Sequence, residues 1–92
     1  MDLRLRSICN SKRFFFTLGI DENSNRHYLS IPMSNSLVDY QEYYWLTEGQ
    51  WEVFCHSEEA AGAFAESCRE RKHDDQLILG PAPDRGVPRV PA

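Results

Sequence analysis

The stretch LVDYQEYYWLTEGQW, residues 37–51, decides the fold, because one kind of secondary structure ends inside it and another begins. Side chains alternate along a strand. In LVDYQEYYWL this puts Val38, Tyr40, Tyr44 and Leu46 on one face, interrupted by Glu42, and Leu37, Asp39, Gln41, Tyr43 and Trp45 on the other. Neither face is cleanly apolar, and a bulge midway would change the phase. The pattern then breaks at Thr47. Thr47 and Gln50 fit a capping box, in which each side chain satisfies the other residue's free backbone N–H. Leu46 and Trp51 take the two positions of a hydrophobic staple. The spacing therefore predicts a short helix over 48–55, with Trp51, Phe54 and Cys55 on one side.

Upstream, FFFTLGI (14–20) is apolar and rich in β-formers, with Phe14, Phe16, Leu18 and Ile20 on one face and Phe15 and Thr17 on the other. DENSN (21–25) is turn chemistry, since Asp and Asn bond the local backbone and tolerate left-handed geometry. RHYLSIPM (26–33) alternates again, and two alternating runs around a polar loop read as a β-hairpin. Pro32 marks an edge or a strand end, because it cannot donate to a ladder. SNS (34–36) is the next turn.

Downstream, Ser57 caps a second helix over 58–72, whose acids open it and whose bases close it, as the helix dipole favours. Ala60, Ala61, Phe64, Ala65 and Cys68 form its apolar stripe. QLIL (76–79) reads either as a short fourth strand or as a packed tail. Residues 80–92 crowd proline and glycine, a composition that buries little apolar surface, and they read as an extended, partly disordered tail.

The expected architecture is a two-layer α+β domain. It comprises a three- to four-stranded antiparallel sheet with two consecutive helices on one face, spanning residues 1–79, followed by the tail. Phe14, Phe16, Leu29, Ile31, Trp51, Phe54, Phe64 and Ile78 are the expected core.

The chain of 92 residues is one domain in size. It contains no run long and apolar enough to cross a bilayer. The N-terminal MDLRLRSICNSKR has charges but no apolar centre, so it is not read as a secretory signal, and the chain reads as cytoplasmic. The net charge of −4 is unevenly spread. Residues 1–13 carry four bases against one acid, whereas residues 14–66 carry nine acids against the single base Arg26. Such an acidic middle repels nucleic-acid backbones and attracts basic protein surfaces.

Catalytic signatures are absent. There is no phosphate-binding GxxxxGK[ST] loop, no GxGxxG and no GxSxG. Three cysteines without a CxxC pair give neither a disulfide framework nor a zinc ribbon, and Cys55 and Cys68 read as small buried groups on helices. Cys55 and His56 are chain neighbours on a helix end, and neighbours do not face each other. His73, Asp74 and Asp75 are the best polar cluster. With His27 or His56 they offer nitrogen and oxygen ligands for a metal-dependent enzyme. The competing reading makes His73 a favoured cation at a helix C-terminus, beside two turn residues. No cofactor is implied.

Tyr43 and Trp45 are expected on the face opposite the helices, with Asp39. Interfaces are enriched in such aromatics, and acids around them suit a basic partner. Asp39, Glu42, Tyr43, Trp45, Glu48 and Glu52 are thus the candidate partner-binding residues. In size, charge and the acidic aromatic segment VDYQEYYWL, the chain resembles the immunity proteins of bacterial polymorphic-toxin and contact-dependent inhibition systems. That resemblance implies a non-catalytic, stoichiometric inhibitor of a cognate toxin domain, often a basic nuclease. The competing expectation is a homodimer or adaptor subunit that uses the same face and the edge of the third strand.

Overall fold

The computed structural model describes residues 2–81 and 85–89. It is an α+β fold. Four strands, β1 (Leu5–Ser11), β2 (Phe16–Asp21), β3 (Arg26–Ser34) and β4 (Asp39–Trp45), form an antiparallel meander in chain order. Helices α1 (Glu48–Phe54) and α2 (Glu58–Arg69) follow, then a 3-10 turn (Asp74–Gln76), and a two-residue β5 (Val87–Pro88) pairs with β3.

β1 is the strand the sequence did not announce. LRSICNS lacks an apolar alternation because β1 is an outer strand, with residues 6–10 all exposed. Its pairing with β2 shifts register between Ser7 and Cys9, so Ile8 is a bulge residue. β4 begins at Asp39. Leu37 and Val38 sit in the preceding loop, where the Asn35 side chain accepts from both their N–H groups at 2.8 Å. No bulge interrupts the β3–β4 ladder, whose register runs unbroken from Tyr28↔Trp45 to Ser34↔Asp39.

The turns and caps follow the local chemistry. Asp21 is 2% exposed and organises the β2–β3 turn, accepting from the N–H groups of Arg4 and Asn23 and from the Ser24 hydroxyl. The Ser24 bond and the two backbone donors hold its carboxyl below the usual carboxylate range. Both halves of the Thr47–Gln50 capping box are formed, and Ser57 caps α2 through the Ala60 N–H. α2 stops at Arg69, not 72. Arg71 turns left-handed at φ 63°, Lys72 N–H bonds Ser67 C=O and Arg71 N–H bonds Cys68 C=O. This is the double bond pattern that usually recruits glycine, so the stop carries no sequence flag.

The core lies between the sheet and the helices. Phe16, Leu29, Ile31, Phe64 and Ile78 are buried as expected, while Phe14, Trp51 and Phe54 pack partly buried against the cluster. Leu18, Met33, Tyr44 and Leu46 complete it. Arg69, with a side chain only 7% exposed, pins the β1–β2 turn by donating from Nη2 to the carbonyls of Phe14 and Phe15 at 2.6 Å. Those bonds hold Phe15 at φ 52°, a region that bulky residues rarely enter.

The C-terminal segment departs from a free tail. Residues 85–89 fold back as a strap. Gly86 N–H donates to the Tyr40 hydroxyl at 2.8 Å, and Arg89 N–H donates to Pro32 C=O at 3.0 Å. Val87–Pro88 joins β3 where β2 has already ended. The expected tail residues 82–84 and 90–92 lie outside the described residues.

Candidate functional site

Strict alternation along β4 sorts the candidate residues. Tyr40, Glu42, Tyr44 and Leu46 point toward the helices, and Asp39, Gln41, Tyr43 and Trp45 point to the open face. Glu42 is therefore not a surface contact. Its side chain is 5% exposed and is clamped by Arg85, whose Nε donates to Oε2 at 2.8 Å and Nη2 to Oε1 at 3.1 Å. The same guanidinium holds Asp74 through two bonds of 2.9 Å, and that bonding lowers the Asp74 pKa. The Tyr44 hydroxyl donates to Glu42 at 2.8 Å. Burial, then the Glu42 bond, pushes the Tyr44 phenol far above its ordinary range.

The open face is aromatic but not acidic. Tyr28 is 3% exposed and lies across Gly19, where a Cβ would meet its ring at 2.4 Å. Tyr43 packs edge-on to Tyr28 with ring centroids 5.3 Å apart. Trp45 carries the Arg26 guanidinium over its ring at 4.3 Å. This diagonal contact follows from the Tyr28↔Trp45 pairing. Asp39, at the far end of β4, is paired with Arg89 at 3.2 Å. Shallow hollows of about 280 and 300 Å³ run along the face, and Lys12 and Arg89 line one of them.

Two exposed acids without an ion pair among the described residues lie instead at one corner, where β3 begins and β4 ends. Glu48 and Glu52, exposed on α1, form no ion pair among the described residues. They line a hollow of about 530 Å³ with Asn25, Arg26, His27 and Trp51. Trp51 stacks on His27 at 3.8 Å and 11°, and burial lowers the His27 pKa. Arg26 joins the two tryptophans, lying over Trp45 and lining the hollow of Trp51. Trp45, Glu48 and Glu52 are thus brought together. Tyr43 stands nearer the middle of the face, Asp39 at its other end and Glu42 inside. Arg26, His27 and Trp51 were missed as surface residues. The hairpin register flags Arg26, whereas the capping box marks Trp51 only as a packing residue.

The other polar clusters are otherwise engaged. The ring of His73 lies 4.4 Å from that of Phe64, and its Nε2 bonds the Ser67 hydroxyl at 2.9 Å, while Asp74 is held by Arg85. Among the described residues no three His, Cys, Asp or Glu side chains converge as metal ligands. Cys55 is exposed rather than buried, and its Sγ does approach His56 Nδ1, at 3.3 Å. That Nδ1 also lies 2.8 Å from the Glu52 carbonyl. A carbonyl only accepts, so Nδ1 carries the proton and does not serve as base for the thiol. Cys68 is buried, and burial pushes its thiol up to about 12.

Among the described residues, no helix is long and apolar enough to cross a membrane. No family model matches the sequence, and no curated protein or solved structure matches it significantly.

Proposed function

We propose that the protein is a non-catalytic binding module, a cytoplasmic immunity protein that neutralises a basic toxin domain by binding it one to one. The observation that carries this reading is the corner at the end of β4. Partly buried Trp51 shares a hollow with two carboxylates that form no ion pair among the described residues, and Arg26 joins that hollow to partly buried Trp45. Aromatic anchors supply area at low entropic cost, and the free carboxylates offer complementary charge to lysine and arginine. Trp45, Trp51, Glu48 and Glu52 are the contact residues, with Tyr43 and Asp39 toward the rim.

The test is capture of partners from the native host at low salt, with wild type and the double variant Glu48→Lys, Glu52→Lys side by side. Wild type is expected to retain one basic protein at equal stoichiometry, more weakly as salt rises. Trp45→Ala is expected to cost about 2 kcal/mol of binding, roughly thirtyfold. Retention of the same partner by the charge-reversed variant would sink the reading. Self-association is the second reading, favoured by Leu37 (80% exposed), Val38 (56%) and Val87 (65%). Val87 pairs with Ser34, next to the β3–β4 loop that carries the other two. A dimer that forms with concentration, with no partner captured, would shift the weight there.

A further inference from the structure

Among the described residues, other segments cover part of the outer margin of β4 and none covers that of β1. Along β4, Leu77 bridges Tyr44, Ile78 N–H donates to Tyr43 C=O at 2.9 Å, and the Gln76 amide donates to Trp45 C=O at 2.8 Å. Where β3 outruns β2, β5 takes the vacant side. β1 pairs only with β2, and among the described residues no segment runs along its other side. An antiparallel strand with one neighbour leaves alternate backbone N–H and C=O groups facing water.

Charge narrows the occupant. Arg4, Arg6, Lys12 and Arg13 stand on or beside β1, against Asp2 alone. Arg6 meets Glu22 at 3.2 Å on the surface, and Arg13 lies over Phe14. Arg4 and Lys12 make no side-chain ion pair among the described residues. A second copy is a poor fit. Antiparallel pairing centred on Ile8 sets Arg4 against Lys12 just beyond the strand ends, and in-register parallel pairing sets Arg6 against Arg6. Like charges directly opposite destabilise a ladder. Ile8, 48% exposed at the bulge, offers an apolar contact in the middle of this basic margin.

We propose that β1 is a docking edge for an extended acidic segment of a partner protein, which adds to the sheet as a new outer strand. Main-chain bonds would supply affinity, and the flanking cations would select acidic residues. This goes beyond the binding corner at the end of β4 and does not depend on it.

The test titrates the isotope-labelled full chain with a capped heptapeptide of alternating glutamate and valine, following backbone amide resonances. Two controls run beside it: the same peptide with alternate backbone nitrogens methylated, and a peptide with lysine in place of glutamate. Shifts are expected to concentrate on residues 5–11. Both controls are expected to fail, and Arg6→Glu with Lys12→Glu is expected to weaken binding by about tenfold or more. The proposal is overturned by no binding at about 1 mM peptide, or by shifts that map elsewhere. It is equally overturned if the methylated peptide binds as well, which would leave charge without strand pairing, or if a concentration-dependent dimer protects the β1 amides, which would make a second copy the occupant.

Discussion

Replacing Arg85 with alanine removes one side chain that joins three parts of the chain. The Arg85 side chain is 11% exposed and spans Glu42, 5% exposed, and Asp74, 37% exposed. Burial opposes its charge, but the bonds to Asp74 and then Glu42 outweigh burial, so its pKa rises further. The two carboxylates respond differently to its loss. Asp74 sits at the margin and rehydrates, so its half of the clamp contributes little. Glu42, nearly buried, keeps the Tyr44 hydroxyl as its hydrogen-bond donor among the described residues. Removing one partner of a buried pair costs about 3–5 kcal/mol, because the remaining charge is stranded. A domain of this size has a total stability of about 5–15 kcal/mol. Arg85→Ala is therefore expected to lower Tm by more than about 12 °C, with a matching fall in the urea midpoint followed by circular dichroism. Adding Glu42→Gln removes the stranded charge while keeping an acceptor for Tyr44, and is expected to recover a large part of the loss. A loss below about 1 kcal/mol for Arg85→Ala would show that the clamp is replaceable by water, and the reasoning fails.

Gly86→Ala attacks the same strap by sterics, since its Cβ would lie 1.9 Å from the Ser34 carbonyl oxygen. Its urea midpoint is expected to fall about as far as that of Arg85→Ala, and a midpoint equal to wild type would refute the close approach. Tyr28→Ala is expected to cost about 3 kcal/mol or more, like a core truncation, because its ring is buried across Gly19. Trp45→Ala should cost clearly less in the same urea melts, and the reverse order would contradict the burial of these rings. Burial depresses the pKa of His27, so the folded state binds its proton less readily than the unfolded chain. Its contribution to stability is present above the ordinary value of about 6.5 and is lost as pH falls through the folded value. Wild type should therefore lose more stability than His27→Phe between neutral pH and mildly acidic pH. Equal losses would remove His27 from the account.

The sequence was informative wherever one residue's chemistry dictates its own geometry. The Thr47–Gln50 box starts α1 because both partners lie within one turn. Asp21 and Asn25 make the β2–β3 turn because their side chains and left-handed tolerance act locally. What stayed hidden depends on distant partners. β1 looks polar because only one of its sides is paired. Glu42 falls on the inward face by simple alternation, yet its acid suggests a surface residue until Arg85 is found 43 positions later. The strap hides in a proline- and glycine-rich stretch because its hold rests on one guanidinium, one glycine and two strand residues. The corner of Trp45, Glu48 and Glu52 was half legible. The residues were named, but Arg26 and His27, which join them to Trp51, come from another strand.

The strap also bears on the order of folding. Each of the first four strands pairs with its chain neighbour, so the meander closes through short loops and forms with little entropic delay. The Arg85 clamp closes a loop of more than forty residues and gains from doing so only when β4 and the turn after α2 are already in place. Such a contact is expected to form after the rate-limiting step and so to act on the reverse reaction. On this expectation the hairpins set how fast the native state is reached, and the returning C-terminal segment sets how long it lasts. In stopped-flow experiments, Arg85→Ala should leave the refolding arm nearly unmoved and raise the unfolding rate.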